Sequence, residues 1–178
     1  MSRPVLLAVA HGSRDPAAQQ TVLSLAGRAG GLAPGVEVRT AFVQNARPSL
    51  AEALTAAGRR PLTVVPLLLS AGYHLSTDIA DAAERAGVAV TGPLGPHPGL
   101  VPALADRLCA AGVPPGTPVV LAAAGSSDPR AAGDARNQAA LLASHLQAPV
   151  RSALRFPRYL RRRSPRSGWP PTPKARLG

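Results

Sequence analysis

One short phrase occurs twice in this chain, once with a histidine and once without. Residues 10–16 read Ala-His-Gly-Ser-Arg-Asp-Pro, and residues 123–129 read Ala-Ala-Gly-Ser-Ser-Asp-Pro. Each copy follows an apolar run and precedes an alanine-rich stretch, which is typical of a strand that leads into a helix beginning at Asp-Pro. The chain is therefore expected to contain a duplicated α/β unit whose reactive side chain, His11, is present only in the first copy.

The first 112 residues alternate regularly between strand-like and helix-like segments. We predict strands at residues 5–9, 36–43, 62–69 and 88–91, and helices at 16–29, 49–57, 77–86 and 100–110. Gly30-Gly31 is expected to end the first helix, Ser49 to begin the second, and Ser76 or Thr77 to cap the third. Because residues 62–69 are apolar nearly throughout, they fit a strand buried on both faces of a parallel sheet. The fold class is therefore predicted as α/β, a parallel sheet flanked by helices.

The second copy begins in the same way and then stops resembling the first. A strand is predicted at residues 119–123, a helix at 129–146 and a strand at 150–154. We therefore expect a complete N-terminal half at residues 1–112, a partial second half at 113–154, and a basic tail rich in proline and arginine at 155–178.

The net charge of +11 is concentrated in that tail. Residues 155–178 hold eight of the 20 basic groups and none of the nine acidic groups, so the other 154 residues have a net charge of only +3. Three interpretations remain open: a solvated, disordered extension, a change of reading frame near position 154, and a nucleic-acid-binding arm. The third lacks the interleaved basic and aromatic residues of known modules, so no nucleic-acid partner is expected.

Other compositional features favour a protein of the cytoplasm. The single cysteine, Cys109, excludes an intramolecular disulfide and is expected to be a small core residue of the fourth helix. No apolar stretch approaches the ~18 residues of a membrane helix, and the apolar run near the N-terminus is too short for a signal peptide. A cytoplasmic location without a membrane partner is expected.

Two histidines follow predicted strands of the first half. His11 comes directly after the first strand, and His74 lies in the segment after the third. Because ligands bind at the carboxyl edge of open α/β sheets, the two imidazoles can reach one cleft and hold a divalent metal. The alternative is that each is a lone loop histidine. We interpret His97 as a surface-loop residue and His145 as structural.

Small polar turns accompany both histidines. Ser13 and Arg14 precede a helix, where main-chain N–H groups and a guanidinium can bind an anion. Ser70 begins a similar turn. The alternative for these residues is ordinary helix capping. Neither a phosphate-binding P-loop nor a dinucleotide-binding glycine motif is present, so nucleotide binding is weakly supported.

Three motifs of the first half resemble one family. Residues 8–16, 64–74 and 92–98, in this order and spacing, look like the sirohydrochlorin chelatases of the class II chelatase superfamily. The resemblance implies insertion of cobalt or ferrous iron into the tetrapyrrole sirohydrochlorin, in cobalamin or siroheme biosynthesis, with His11 and His74 as metal ligands. It also implies a fold of two similar α/β halves, or one half that dimerises, so a homodimer remains open.

The site expected from the resemblance combines these ligands with a tetrapyrrole-binding wall. The substrate-binding residues are predicted to be Ser13, Arg14, Gln44, Ser70 and Tyr73, and no tightly bound cofactor is expected, because the divalent metal is a substrate. Family members often have glutamate where this chain has Gln44, two residues after Phe42. Glutamine can bind a metal but cannot take a proton. The main alternative is a non-catalytic remnant that binds a tetrapyrrole or a metal and lacks part of its second half.

Overall fold

A computed structural model describes residues 3–72, 74–126 and 128–154, with the backbone but not the side chains of residues 74–76. Tyr73 and the expected tail at 155–178 lie outside the described residues. The strands are β1 Val5–Ala10, β2 Glu37–Phe42, β3 Leu62–Pro66, β4 Ala89–Val90, β5 Val119–Ala123 and β6 Val150–Leu154. The α-helices are α1 Pro16–Leu32, α2 Leu50–Ala57, α3 Ala80–Ala86, α4 Val101–Ala110 and α5 Pro129–Leu146.

The first four strands form one parallel sheet in the order β2-β1-β3-β4. Strand β1 lies between β2 and β3, and five of its six residues are buried. Its core side chains Leu7 and Val9 pack with Val64 of β3 and with residues of α2 and α3. The prediction of an α/β fold with a parallel sheet and flanking helices is confirmed.

The second copy forms a separate two-stranded parallel sheet, β5 with β6. Its register repeats that of the first copy: Val119 pairs with Val150, as Leu6 pairs with Val38. Helix α5 packs on β6 and on α4. Within the described ranges, β5 has a neighbour on one edge only, whereas β1 has one on each edge.

Two predicted helix boundaries are wrong. Helix α1 continues through Gly30 and Gly31 to Leu32 and has Ala33 as its C-cap, so the two glycines lie inside its last turn and do not end it. Helix α3 is entered from a π-helical turn, His74–Ile79, and Ile79 stands at its start without a capping side chain, so Ser76 and Thr77 are not its N-caps. The capping box of α2, in which Ser49 and Glu52 exchange hydrogen bonds, confirms Ser49 as the start of that helix.

Candidate functional site

The candidate site is built at the carboxyl edge of the first sheet, where β1 and β2 end side by side. The pairing continues past the strands: the Val43 N–H donates to the Ala10 carbonyl at 3.0 Å, and the Gln44 N–H donates to the His11 carbonyl at 3.0 Å. This register places the His11 and Gln44 side chains next to each other. Both residues are exposed.

The two side chains are in direct contact. The amide nitrogen of Gln44 lies 3.0 Å from His11 Nε2. The other ring nitrogen, Nδ1, lies 3.2 Å from the Gly12 carbonyl oxygen, which can only accept a hydrogen bond. If Nδ1 carries the proton for that contact, the lone pair of Nε2 accepts the Gln44 amide N–H, and a metal ion can bind the same lone pair once that hydrogen bond is released.

Gly12 makes this contact sterically feasible. Its φ is +94°, in the region that favours glycine, and a Cβ at this position would lie 1.7 Å from the Gln44 carbonyl oxygen. The close approach of the two main chains at the site therefore requires glycine.

The turn after Gly12 uses its polar side chains internally. The Asp15 N–H donates to Ser13 Oγ at 3.0 Å, and Asp15 Oδ1 accepts from the Ala17 N–H at 2.9 Å, which caps α1. Gln19 Nε2 donates to the Ser13 carbonyl at 2.8 Å. Arg14 is exposed beside this turn. Substrate contacts of Ser13 and Arg14 stay predictions.

The second copy repeats the turn without the imidazole. The Asp128 N–H donates to Ser126 Oγ at 3.1 Å, Asp128 Oδ1 accepts from the Arg130 N–H at 2.9 Å, and Gly125 has a φ of +80°. Hydrogen bonds from Arg130 lower the pKa of the Asp128 carboxyl group. Ala124 occupies the place of His11, so the duplication inferred from sequence extends to the hydrogen bonds of the turn.

His74 follows β3, which neighbours β1 in the sheet. The Leu67 N–H still donates to the Val9 carbonyl at 2.7 Å, so the segment leading to His74 leaves from the same edge as His11. The backbone of His74 begins the π-helical turn, and such turns are frequent at functional sites. Its side chain lies outside the described residues, so the pairing of the two imidazoles stays a prediction.

Ser70 lines a cavity between the two halves. This cavity has a volume of about 530 Å³ and is mostly apolar. Its walls include Ser70 and Leu69 from the segment after β3, residues of α4, and Ala123 and Ala124 at the end of β5. Ala124, the residue that corresponds to His11 in the second copy, therefore lines the same cavity as Ser70.

Two residues missed at the sequence level join α5 to the first half. Asp134 and Gln138 accept hydrogen bonds from main-chain N–H groups of Ala71 and His97, respectively. Their one sequence signal is a pair of polar residues, four apart, beside the apolar stripe of a helix.

The predictions for His97 and Cys109 have different outcomes. His97 is an exposed loop residue, as predicted. Cys109 is also exposed, so its prediction as a core residue is wrong.

The described side chains set limits on metal binding. Among them, no three histidine, cysteine, aspartate or glutamate residues come together in a way that could hold a metal ion. Of the two expected metal ligands, the structure describes the side chain of His11 and the backbone alone of His74.

Of the helices described, none is both long and apolar enough to span a bilayer.

Comparison of the sequence with known proteins finds similarity to sirohydrochlorin cobaltochelatases. The sirohydrochlorin cobaltochelatase of Methanosarcina barkeri is 32% identical over 77 residues, which are 42% of this chain and 59% of the relative. That of Methanosarcina acetivorans is also 32% identical over 77 residues, with the same shares covered. The chain thus spans about three fifths of the length of these relatives.

The fold matches solved chelatase structures. SirB from Bacillus subtilis, solved with Fe³⁺, has a TM-score of 0.72 and 28% identity, over 86% of this chain and 66% of SirB. A structure of CbiX, described as the terminal enzyme for biosynthesis of siroheme in denitrifying bacteria, has a TM-score of 0.65 and 27% identity, over 88% and 71%.

A family model, CbiX, matches residues 5–111, which is more than half of the chain and contains the His11 turn, Gln44 and the segment of His74. The resemblance to the sirohydrochlorin chelatases that the motifs indicated is confirmed by these matches, and the chain belongs to the CbiX family.

Proposed function

We propose that this protein inserts a divalent metal ion, cobalt or ferrous iron, into sirohydrochlorin. The observation that carries the proposal is the exposed imidazole of His11 at the carboxyl edge of the sheet, with Nε2 3.0 Å from the Gln44 amide nitrogen. Because β3 ends on the same edge, His74 is assigned as the second ligand. The names of the cobaltochelatase relatives and of SirB with Fe³⁺ support the reaction class.

The proposed transfer needs a metal that is held weakly. Two imidazoles can bind a dication and release it, whereas a closed site with four ligands would retain it. When the metal enters the macrocycle, two pyrrole N–H protons leave. The imidazole of His11, freed from the metal, accepts one proton as a general base, and the other passes to water. The Gln44 side chain orients the ring but takes no proton.

The substrate would lie against both halves. The apolar cavity of about 530 Å³ offers a wall for the macrocycle, and Ser70 is at its rim. Sirohydrochlorin carries several carboxylates. Since the Asp15 carboxylate already accepts the Ala17 N–H at the start of α1, we assign the exposed guanidinium of Arg14, and not that main-chain N–H, as the donor to a substrate carboxylate.

The proposal names the class of metal, a divalent first-row ion, and does not choose between cobalt and iron. Imidazole sites bind cobalt, iron, nickel and zinc in an order set mainly by the metal, so supply and geometry decide which one is inserted. Cobalt would place the reaction in cobalamin synthesis, and iron in siroheme synthesis.

The test is metal insertion by the purified protein under anaerobic conditions. Sirohydrochlorin is mixed with Co²⁺ or Fe²⁺, and the change in its absorption spectrum gives kcat and KM. We expect His11→Ala to lower kcat by about 100-fold, in the range typical for loss of a ligand or proton acceptor. His145→Gln, at an exposed histidine in the last turn of α5, is the matched control and should retain the rate. An unchanged rate for His11→Ala would refute the ligand assignment.

A second candidate function is a binding protein without catalysis. It is favoured by the second half, whose described part has two strands where the first half has four. This candidate predicts that sirohydrochlorin or Co²⁺ binds to the protein, seen as a spectral shift or by calorimetry, while the metal is not inserted. The same assay therefore separates the two candidates.

A further inference from the structure

One face of helix α5 holds two polar residues against loops of the first half. Asp134 Oδ2 accepts a hydrogen bond from the Ala71 N–H at 2.6 Å, and Gln138 Oε1 accepts one from the His97 N–H at 2.9 Å. The two residues are four apart and so lie one above the other on the helix. They join the second half to the segments that follow β3 and β4.

Both contacts are sheltered from solvent. Gln138 is only 7% exposed, and Asp134 and Ala71 are partly buried. A hydrogen bond from a main-chain N–H to an ionised carboxylate is among the stronger ones, and its strength grows as water is excluded. Ala71 stands three residues before His74, so this bond fixes the segment close to that histidine.

The second copy's turn also approaches this segment. A Cβ at Gly72 would lie 3.4 Å from Ser126 Oγ, so the main chain at Gly72 runs close to the turn that corresponds to the His11 turn. Of the residues before His74, Ala71 is thus held by α5 and Gly72 lies close to Ser126.

The duplication provides an internal comparison for the polar pair. Aligning the two copies at their Asp-Pro sequences places Asp134 at the position of Thr21 and Gln138 at that of Leu25. Both α1 residues are exposed. Asp134 and Gln138 therefore occur in the copy whose helix faces the loops of the first half. There they accept hydrogen bonds from main-chain N–H groups of those loops.

We propose that Asp134 is a positioning residue that holds, through the Ala71 N–H, the segment carrying His74 in the orientation needed for metal transfer. This inference rests on the proposed function, in which His74 is a metal ligand. It gives the described part of the second half, residues 113–126 and 128–154, a task in the reaction.

The test compares Asp134→Ala, which removes the acceptor, with Asp134→Asn, which keeps a carbonyl acceptor of nearly the same shape. Asp106→Ala, at an exposed carboxylate of α4, is the control for the change of charge. We expect Asp134→Ala to lower kcat about 10-fold, with the KM for sirohydrochlorin changed less than twofold. Asp134→Asn should recover most of the rate, and Asp106→Ala should match the wild type.

A second measurement does not depend on catalysis. In the wild type, the Ala71 amide should exchange slowly with deuterium and give a downfield NMR signal, and both properties should be lost in Asp134→Ala but retained in Asp134→Asn. The absorption spectrum of bound Co²⁺ should change in intensity only for Asp134→Ala. Melting temperatures identify any variant that is unfolded. If Asp134→Ala is unfolded, the rate and the Co²⁺ spectrum of Asp134→Asn test the positioning role.

The outcomes separate the two proposals. A wild-type protein that does not insert metal refutes the proposed function, whatever the variants do. An active wild type whose kcat, Co²⁺ spectrum and Ala71 exchange are unchanged in Asp134→Ala refutes the positioning role. A fall in kcat that Asp134→Asn does not relieve refutes it as well, because the acceptor would then not be the cause.

Discussion

At the scale of single residues, Gly12 has the tightest steric requirement in the site. The main chain at this position has a φ of +94° and passes against the Gln44 carbonyl oxygen. We expect Gly12→Ala to displace either His11 or Gln44, because the added Cβ would lie 1.7 Å from that oxygen. The proposed metal insertion should fall more than 10-fold, measured by the anaerobic assay, and the melting temperature should also fall.

A second glycine gives the matched control. Gly27 lies inside helix α1 with no atom within 4 Å of an added Cβ. Gly27→Ala should retain activity and raise the stability by up to about 1 kcal/mol, because alanine favours the helix. If Gly12→Ala kept both the rate and the melting temperature of the wild type, the close approach of the two main chains would be wrong.

Individual site residues differed in how well the sequence could predict them. His11 and Gln44 follow adjacent strands, so the rule for parallel sheets places them together, and they are in contact. Asp134 and Gln138 were not predicted, because their role depends on how the second half packs on the first. The sequence of one helix does not contain that information.

At the scale of secondary structure, an ion-pair cluster joins the amino ends of β1, β2 and β3. Arg60 Nη2 lies 2.5 Å from one oxygen of Glu37 and donates to the Arg3 carbonyl at 2.8 Å, while Arg39 Nε lies 2.6 Å from the other oxygen of Glu37. Hydrogen bonds from Arg60 and Arg39 lower the pKa of Glu37 to about 2, from an ordinary value of 4.5. The cluster lies at the edge of the sheet opposite His11.

This shift predicts a defined acid dependence. Because the folded pKa is depressed, Glu37 contributes stability above the unfolded value of 4.5, and this contribution is lost as the pH falls towards 2. We expect Glu37→Gln to melt a few degrees lower than the wild type at pH 6, with the difference closing between about pH 4.5 and pH 2. Thermal unfolding followed by circular dichroism at several pH values measures this, and a difference independent of pH would exclude the linkage.

The elements themselves were predicted where local signals agree with packing. Strands β5 and β6 and helix α5 have the predicted bounds. Their signals, an apolar run or an Asp-Pro start, lie in the sequence of the element itself and do not depend on packing. Helix α1 was predicted too short because Gly30 indicated an end. A Cβ at Gly30 would lie 3.6 Å from the Val38 side chain, so this glycine marks close packing of helix on sheet. The π-helical turn before α3 was not predicted from the sequence.

At the scale of the whole molecule, the charge and the site belong to different parts of the chain. Deleting residues 155–178 removes eight of the 20 basic groups. We expect this deletion to leave the rate of the proposed metal insertion within twofold of the full chain, because the contacts that build the candidate site come from residues 11–138. A loss of activity on deletion would show that the tail takes part in the reaction.

The same deletion tests the alternative of a nucleic-acid-binding arm. That alternative predicts an affinity for DNA or RNA that falls steeply with salt and disappears with the tail, because contacts to phosphates release counterions. Fluorescence anisotropy with a labelled oligonucleotide at two salt concentrations measures it. We expect no such binding from the full chain at physiological salt.

The turn at Gly125 has the same capping hydrogen bonds as the turn at Gly12, although an alanine precedes it. The backbone of such a turn therefore forms without an imidazole at the preceding position. Protein engineers can use this independence: a thiol or a carboxylate placed at position 11 should leave the loop intact and change only the donor atom offered at the proposed metal site.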